Sequence, residues 1–203
     1  MPMTDWISLD QLVCRPIPGR ILGIGADAQV LEHADFFRQV QSWRSAFAAE
    51  QGRNWALYFE DTLSFAAALF GAWQAGKRVF LATDTSPAML AALRQEVDGF
   101  AGDFEAGCSP LAPMQDIDLD ALPRLDERSC ELVVFTSGST GTPLAIVKRR
   151  DQLAREVEAH EQIFGHLLAN ARIHGTVSHQ HIYGLLFRVL SPLAAGRCIE
   201  PRR

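Results

Sequence analysis

Apolar and polar positions along the chain switch between a short period and a helical one. Trp55 to Phe59, "WALYF", is a short apolar run rich in aromatic residues and predicts a buried strand. Asp61 or Thr62 then stands where a helix needs its cap. Leu63, Ala66, Ala67, Phe70 and Trp73 recur at helical spacing up to Gly76, which supplies the stop. "RVFLA", Arg78 to Ala82, predicts the next strand, so the segment forms a βαβ unit, parallel and right-handed by the general rule. Ser86 before Pro87 opens a second helix with Met89, Leu90, Leu93 and Val97 on one face. From Gly102 to Arg128, Pro110, Pro113, Pro123 and several acids predict a long irregular surface connection.

An apolar run then leads into "VVFTSGSTGTPLAIVK", Val133 to Lys148, which begins as a buried strand and opens into a loop. Asp151 is placed to cap a long helix with Leu153, Val157, Phe164, Leu167 and Leu168 inward. "RIHGTVSH", Arg172 to His179, predicts a strand. "IYGLLFRVLSPLAAGR", Ile182 to Arg197, predicts a helix bent or broken near Pro192 and closed at Gly196. Strands alternating with helices of these lengths imply an α/β fold, a largely parallel sheet flanked by helices. Residues 1–54 are expected to form a lead-in segment and 55–203 the α/β domain.

Composition narrows the function classes. The 203 residues are 48% hydrophobic, enough for one sizeable core. A net charge of -5, from 19 basic and 24 acidic residues without a basic stripe, argues against nucleic acid or an anionic membrane as the main partner. Cys14, Cys108, Cys130 and Cys198 form no CxxC pair, so reduced thiols are expected rather than a zinc ribbon or a disulfide framework. The N-terminus carries Asp5 and Asp10 and lacks the continuous apolar stretch of a secretory signal. No run of about 18 apolar residues offers a membrane span. A cytoplasmic protein is the expectation.

The candidate chemistry lies in Thr136 to Gly141, where every residue is glycine or carries a hydroxyl. Glycine lets backbone N–H groups converge on an anion, and Ser137, Ser139 and Thr140 add hydroxyl donors, which together suit a polyphosphate. An ordinary Ser/Gly turn has the same composition, and composition does not separate the two. A Walker A loop would need Lys and Ser/Thr directly after its second glycine, whereas Thr142 and Pro143 follow Gly141. "GIGADA", Gly23 to Ala28, matches GxGxxA formally but lacks the flanking strand and helix of a dinucleotide site. His179 and His181 form an HxH pair without a third ligand at metal-binding spacing, so no metal site is assigned.

"FTSGSTGTP" resembles the phosphate-loop signature of the adenylate-forming superfamily, the acyl-CoA synthetases, aryl-CoA ligases and peptide-synthetase adenylation domains, which usually runs (Y/F)TSGSTGxPKG. Downstream, "HQHIYGLLFRVLSPLAAGR" is similar to the segment with an H-x-Y/F-G core that lines the acyl or aryl pocket, and "ALYFEDTLSFAAALFGAWQAGKRVFLA" to the early βαβ unit. Within the superfamily, "TSGSTGTPLAIVKR" resembles small bacterial ligases of aryl polyene, xanthomonadin-type pigment or fatty-acid synthesis. The resemblance implies an ATP- and Mg²⁺-dependent reaction: a carboxylic acid attacks the α-phosphate to give an acyl adenylate and pyrophosphate, and a thiol of CoA or an acyl carrier protein then takes the acyl group. It assigns the phosphates to Thr136, Ser137, Gly138, Ser139, Thr140 and Gly141, and the acyl pocket to His181, Tyr183 and Gly184.

The departures matter as much. Leu144 stands where the superfamily usually has lysine after the loop proline, and Ala145 where it has glycine. Lys148 is the candidate substitute for phosphate binding, but in a strand it lies about 13 Å further on. The alternative for Lys148, Arg149 and Arg150 is a solvated strand end. The superfamily's adenine and Mg²⁺ segment, its ribose-binding acid and its C-terminal catalytic lysine have no counterpart in these residues, so no catalytic residue is assigned. The expectation is therefore the N-terminal part of a longer ligase, truncated, with an unpaired sheet edge prone to self-association, and unable to form acyl adenylates by itself. A degenerate, non-catalytic module that binds a nucleotide or a partner protein is the alternative.

Overall fold

The computed structural model describes residues 5–24, 29–115, 117–126, 131–136 and 144–200. A small antiparallel pair, β1 (Ile21–Ile24) and β2 (Val30–Glu32), precedes α1 (His33–Ala49). The main sheet has the order β5-β3-β4-β6-β7, from β3 (Asn54–Tyr58), β4 (Arg78–Leu81), β5 (Gly99–Gly102), β6 (Glu131–Thr136) and β7 (Leu144–Arg149). All neighbours are parallel except β6 and β7, which form a hairpin. Helices α2 (Thr62–Gln74), α3 (Pro87–Leu93) and α4 (Arg150–Leu168) follow β3, β4 and β7.

Strand order explains how the layers form. β4 lies beside β3, whereas β5 returns to the far side of β3, so the chain reverses direction after β4. Crossovers of one hand then cover opposite faces. Trp55, Leu57, Val79, Leu81, Leu132 and Val134 point into a core with α1 and α2, while Ala56, Phe80, Phe100 and Val133 pack with Leu90 and Leu93 of α3. Asp61 caps α2 by accepting from the Ser64 N–H at 2.7 Å, and Gly76 stops it at φ +71. Ser86 caps α3 in the same way through Met89. α3 is short, and Val97 joins its apolar face from beyond its end.

Several elements depart from the periodicity. β5 was not foreseen, and the connection after it is only partly surface: Phe104, Cys108, Leu122 and Leu125 are buried. Leu122 and Leu125 donate their N–H groups to the carbonyls of Cys14 and Asp10, so this segment seals the N-terminal residues. The lead-in itself joins the main core through Leu9, Leu12, Val13 and α1. Arg149, not Asp151, is the N-cap of α4, and Asp151 sits within its first turn, bonded to Arg149 and Arg155. The inward line of α4 is Leu153, Val157 and Glu161; Phe164, Leu167 and Leu168 face outward, with Leu167 71% exposed.

The predicted strand at 172–179 does not form. Among the described residues only Ile173 bridges, donating to Cys198 at 2.8 Å and accepting from Glu200 at 2.9 Å, and no neighbouring strand continues the ladder. The last helical segment is α5 (Ile182–Gly184), a widened π-turn (Leu185–Leu190) and α6 (Ser191–Ala195), ending at Gly196 with φ +72. Pro192 has no N–H and crowds the carbonyl four residues back, and the wider turn before it accommodates both.

His33 is fully buried at the start of α1. The Ile17 N–H donates to its Nδ1 at 3.3 Å, and its Nε2 faces the Leu12 carbonyl at 2.8 Å, which is the pattern of a neutral ring. Burial holds its pKa below the ordinary 6.5, against the opposing pull of the Leu12 carbonyl. Burial lowers His160 likewise, against the charge of Glu156. In the unfolded chain both take a proton as pH falls through 6.5, whereas in the folded chain they do so only at lower pH. Stability is therefore full above 6.5 and declines as pH falls from there through the lower folded-state pKa, with buried His33 contributing more than the partly exposed His160. Urea unfolding between neutral pH and mildly acidic pH should show this decline, and His33→Gln should reduce its slope.

Candidate functional site

The β6–β7 hairpin carries the hydroxyl-rich segment. Glu131 to Thr136 pair one for one with Arg149 to Leu144, so Thr136 and Leu144 flank the loop on its two sides. Since β6 runs parallel to β4, the loop springs from the carboxyl end of the parallel strands, where open α/β sheets place their ligands. Of the residues predicted to cradle phosphate, Thr136 ends β6, and Ser137, Gly138, Ser139, Thr140 and Gly141 lie outside the described residues. Leu144 is 63% exposed. Lys148 pairs with Leu132, four register positions from the loop, and its ammonium is held by Glu156 at 2.7 Å. Arg149 bonds Asp151 and Arg150 is buried, so this basic run is not simply a solvated strand end.

A cleft of about 560 Å³ opens at the carboxyl end of β3. Tyr58, Phe59, Glu60 and Asp61 line one side, and Ser178, His179, Gln180 and Arg188 the other. A connected set of hydrogen bonds forms its base. Arg188 donates to the Val177 carbonyl at 2.9 Å and to Thr62 Oγ1 at 2.8 Å. Thr62 Oγ1 lies 3.2 Å from His179 Nδ1, and His179 Nε2 lies 2.9 Å from the Phe59 carbonyl. That carbonyl also accepts from Gln180 Nε2, and Gln180 Oε1 accepts from the Ser178 hydroxyl.

The three predicted pocket residues fall unevenly. Gly184 is buried and packed so closely that a Cβ there would lie 2.1 Å from the Ser178 carbonyl oxygen. His181 and Tyr183 are exposed: His181 sits at the N-cap of α5 with its N–H bonded to Ser178, and the Tyr183 ring lies 4.6 Å from that of Phe187. In the HxH pair it is His179 that turns into the cleft. Thr62, Gln180 and Arg188 were missed by sequence reasoning. No local signal marks them: an HxH pair on a strand would face one way, but the chain turns at 179–181, which buries His179 and leaves His181 exposed. Among the described residues no group of three His, Cys, Asp or Glu side chains could hold a metal, and no helix is long and apolar enough to cross a membrane.

The fold matches o-succinylbenzoate CoA synthetase (MenE) from Bacillus subtilis, solved with its acyl-adenylate intermediate, at a TM-score of 0.70 and 18% identity over 90% of this chain. It also matches the amide bond synthetase McbA from Marinactinospora thermotolerans, at 0.67 and 18% identity over 96%, and the nonribosomal peptide synthetase FmoA3 in its AMPPNP-bound form, at 0.63 and 17% over 90%. This is the fold of adenylate-forming enzymes. The chain spans 41% of the MenE chain, 44% of McbA and 21% of FmoA3. Among curated proteins, nonribosomal peptide synthetase 32 from Fusarium pseudograminearum is 39% identical over 62 residues, which is 30% of this chain and 1% of that protein. No family model matches the chain. The adenylate-forming fold accounts for the mostly parallel sheet and its flanking helices, with the hairpin loop and the cleft at the same sheet end.

Proposed function

We propose that this chain supplies the phosphate loop and one wall of the acyl pocket of an ATP-dependent adenylate-forming ligase. Its reaction joins a carboxylic acid to the α-phosphate of ATP, releasing pyrophosphate, and passes the acyl group to a thiol of CoA or a carrier protein. The observation that carries the reading is the position of the Thr136–Gly141 segment, between β6 and β7 at the carboxyl end of the parallel strands, in a chain with this fold. A carboxylate must approach a polyanion in this chemistry, and backbone N–H groups with hydroxyls neutralise and orient phosphate without moving during the reaction. Ser137 to Gly141 would hold the phosphates. Mg²⁺ bound with the nucleotide would offset their charge; structures with this fold include a MenE complex with ATP and magnesium.

A second reading, a module that binds nucleotide without chemistry, draws on two observations. Leu144 stands beside the loop where a phosphate-binding lysine is usual in the family resembled, and Lys148 is engaged by Glu156. Isotopic pyrophosphate exchange with a panel of carboxylic acids, run beside ATP titration, tests the proposal and decides for the ligase wherever exchange occurs. Exchange that depends on an added acid supports the ligase reading. Saturable ATP binding without exchange is the result expected of these 203 residues alone, as either a ligase part or a binding module. Absence of both overturns the proposal.

A further inference from the structure

We propose that Arg188 is a positioning residue for the cleft, acting through Thr62 to hold His179 as the neutral tautomer protonated at Nε2. The direction of the hydrogen bonds follows from what each group can donate. A guanidinium has only N–H donors and remains charged, so Thr62 Oγ1, 2.8 Å from Arg188 Nη2, is the acceptor. The threonine hydroxyl keeps its own proton to give, and His179 Nδ1 lies 3.2 Å away to receive it. With Nδ1 accepting, the ring proton sits on Nε2, which faces the Phe59 carbonyl at 2.9 Å, a group that can only accept. Both ring nitrogens are thereby committed, and His179 lends the cleft a fixed surface rather than a proton acceptor or a metal ligand.

The surroundings fit this role. Thr62, His179, Gln180 and Arg188 are all buried, so the hydrogen bonds among them compete little with water. The Phe65 ring lies 4.7 Å from the His179 ring and restricts its rotation. Arg188 also holds the Val177 carbonyl, so one side chain ties down the backbone before the Ser178–His181 turn and, through Thr62, the ring within it. Its stem passes over Gly175, where a Cβ would lie 2.1 Å from Arg188 Cδ. The functional meaning rests on reading the cleft as the acyl pocket, but the hydrogen-bond order does not.

Side-chain ¹⁵N–¹H correlation spectra of the labelled protein at neutral pH test the proposal without any ligand, so its failure is distinguishable from failure of the ligase reading. The wild type should show His179 with a protonated Nε2 and an unprotonated Nδ1 displaced by a received hydrogen bond. Thr62→Ser should preserve that Nδ1 position, and Thr62→Val should shift it to that of a bare nitrogen. Arg188→Met should move it towards the Thr62→Val value, as should Gly175→Ala, which displaces the arginine and serves if Arg188→Met does not fold. A wild-type ring protonated at Nδ1, or His179 resonances unchanged in a folded Arg188→Met or Gly175→Ala protein, would overturn the proposal.

Discussion

Replacing Arg197 by methionine is expected to lower the free energy of unfolding by about 3–5 kcal/mol, a large part of the roughly 5–15 kcal/mol that keeps a domain folded. Arg197 and Glu161 face each other as a two-point ion pair, with one N–H···O contact at 2.7 Å and side chains only 5% and 6% exposed. The guanidinium also donates to the Ala169 carbonyl at 3.0 Å, so it closes the carboxyl end of α4. Gly165 leaves the space that the Glu161 carboxylate fills: a Cβ there would lie 2.3 Å from Oε1. Removing one partner strands a buried charge, which is the costly event. Replacing both, as Glu161→Leu with Arg197→Met, should recover most of the loss, because the desolvation of both ions disappears with them. Urea unfolding of the two single variants and the double variant measures this directly. Equal losses in all three would mean that packing, not the pair, matters here.

The second large effect concerns nucleotide affinity. Leu144→Lys should tighten ATP binding roughly ten- to hundredfold, the equivalent of one charge-assisted hydrogen bond of about 1.5–3 kcal/mol. Leu144 is opposite Thr136 in the hairpin and strongly exposed, so a lysine there can lean over the loop without disturbing the core. Lys148→Ala should leave ATP binding unchanged, since its ammonium is engaged with Glu156 at the other end of the strand. The partly exposed Lys148–Glu156 pair should contribute no more than about 1 kcal/mol of stability. Calorimetric titration of both variants decides the point, and a marked loss in Lys148→Ala would return that lysine to the phosphates.

Which elements were legible follows from where their partners are. β3, β4 and α2 are buried on nearly every side, so their apolar runs announce them whatever their neighbours do. β5 has two glycines in four residues and exists because β3 offers it an edge; Gly99 lies against the Trp55 indole, where a Cβ would approach to 2.5 Å. The reverse error occurred at 172–179, where Ile173, Thr176 and Val177 are β-branched like strand residues, but among the described residues no second strand runs beside them. In α4 the apolar spacing continues past Glu161, but the inward face changes there to the ion pair with Arg197. The cleft shows the same limit. Arg188 on a helix gives no local sign of burial. It meets Thr62 across 126 residues of sequence, and only the folded chain brings them together.

The central claim is that the Thr136–Gly141 loop binds phosphate through its backbone, and calorimetric titration with ATP and Mg²⁺ tests it most directly. Gly138→Val and Gly141→Val close the approach to the backbone N–H groups, while Ser139→Ala removes a single hydroxyl and leaves the backbone open. The wild type should bind saturably, Ser139→Ala should remain within roughly tenfold of it, and both glycine variants should lose binding while still melting cooperatively. Glycine variants that bind ATP as the wild type does would contradict the account and leave the loop as a turn between two strands.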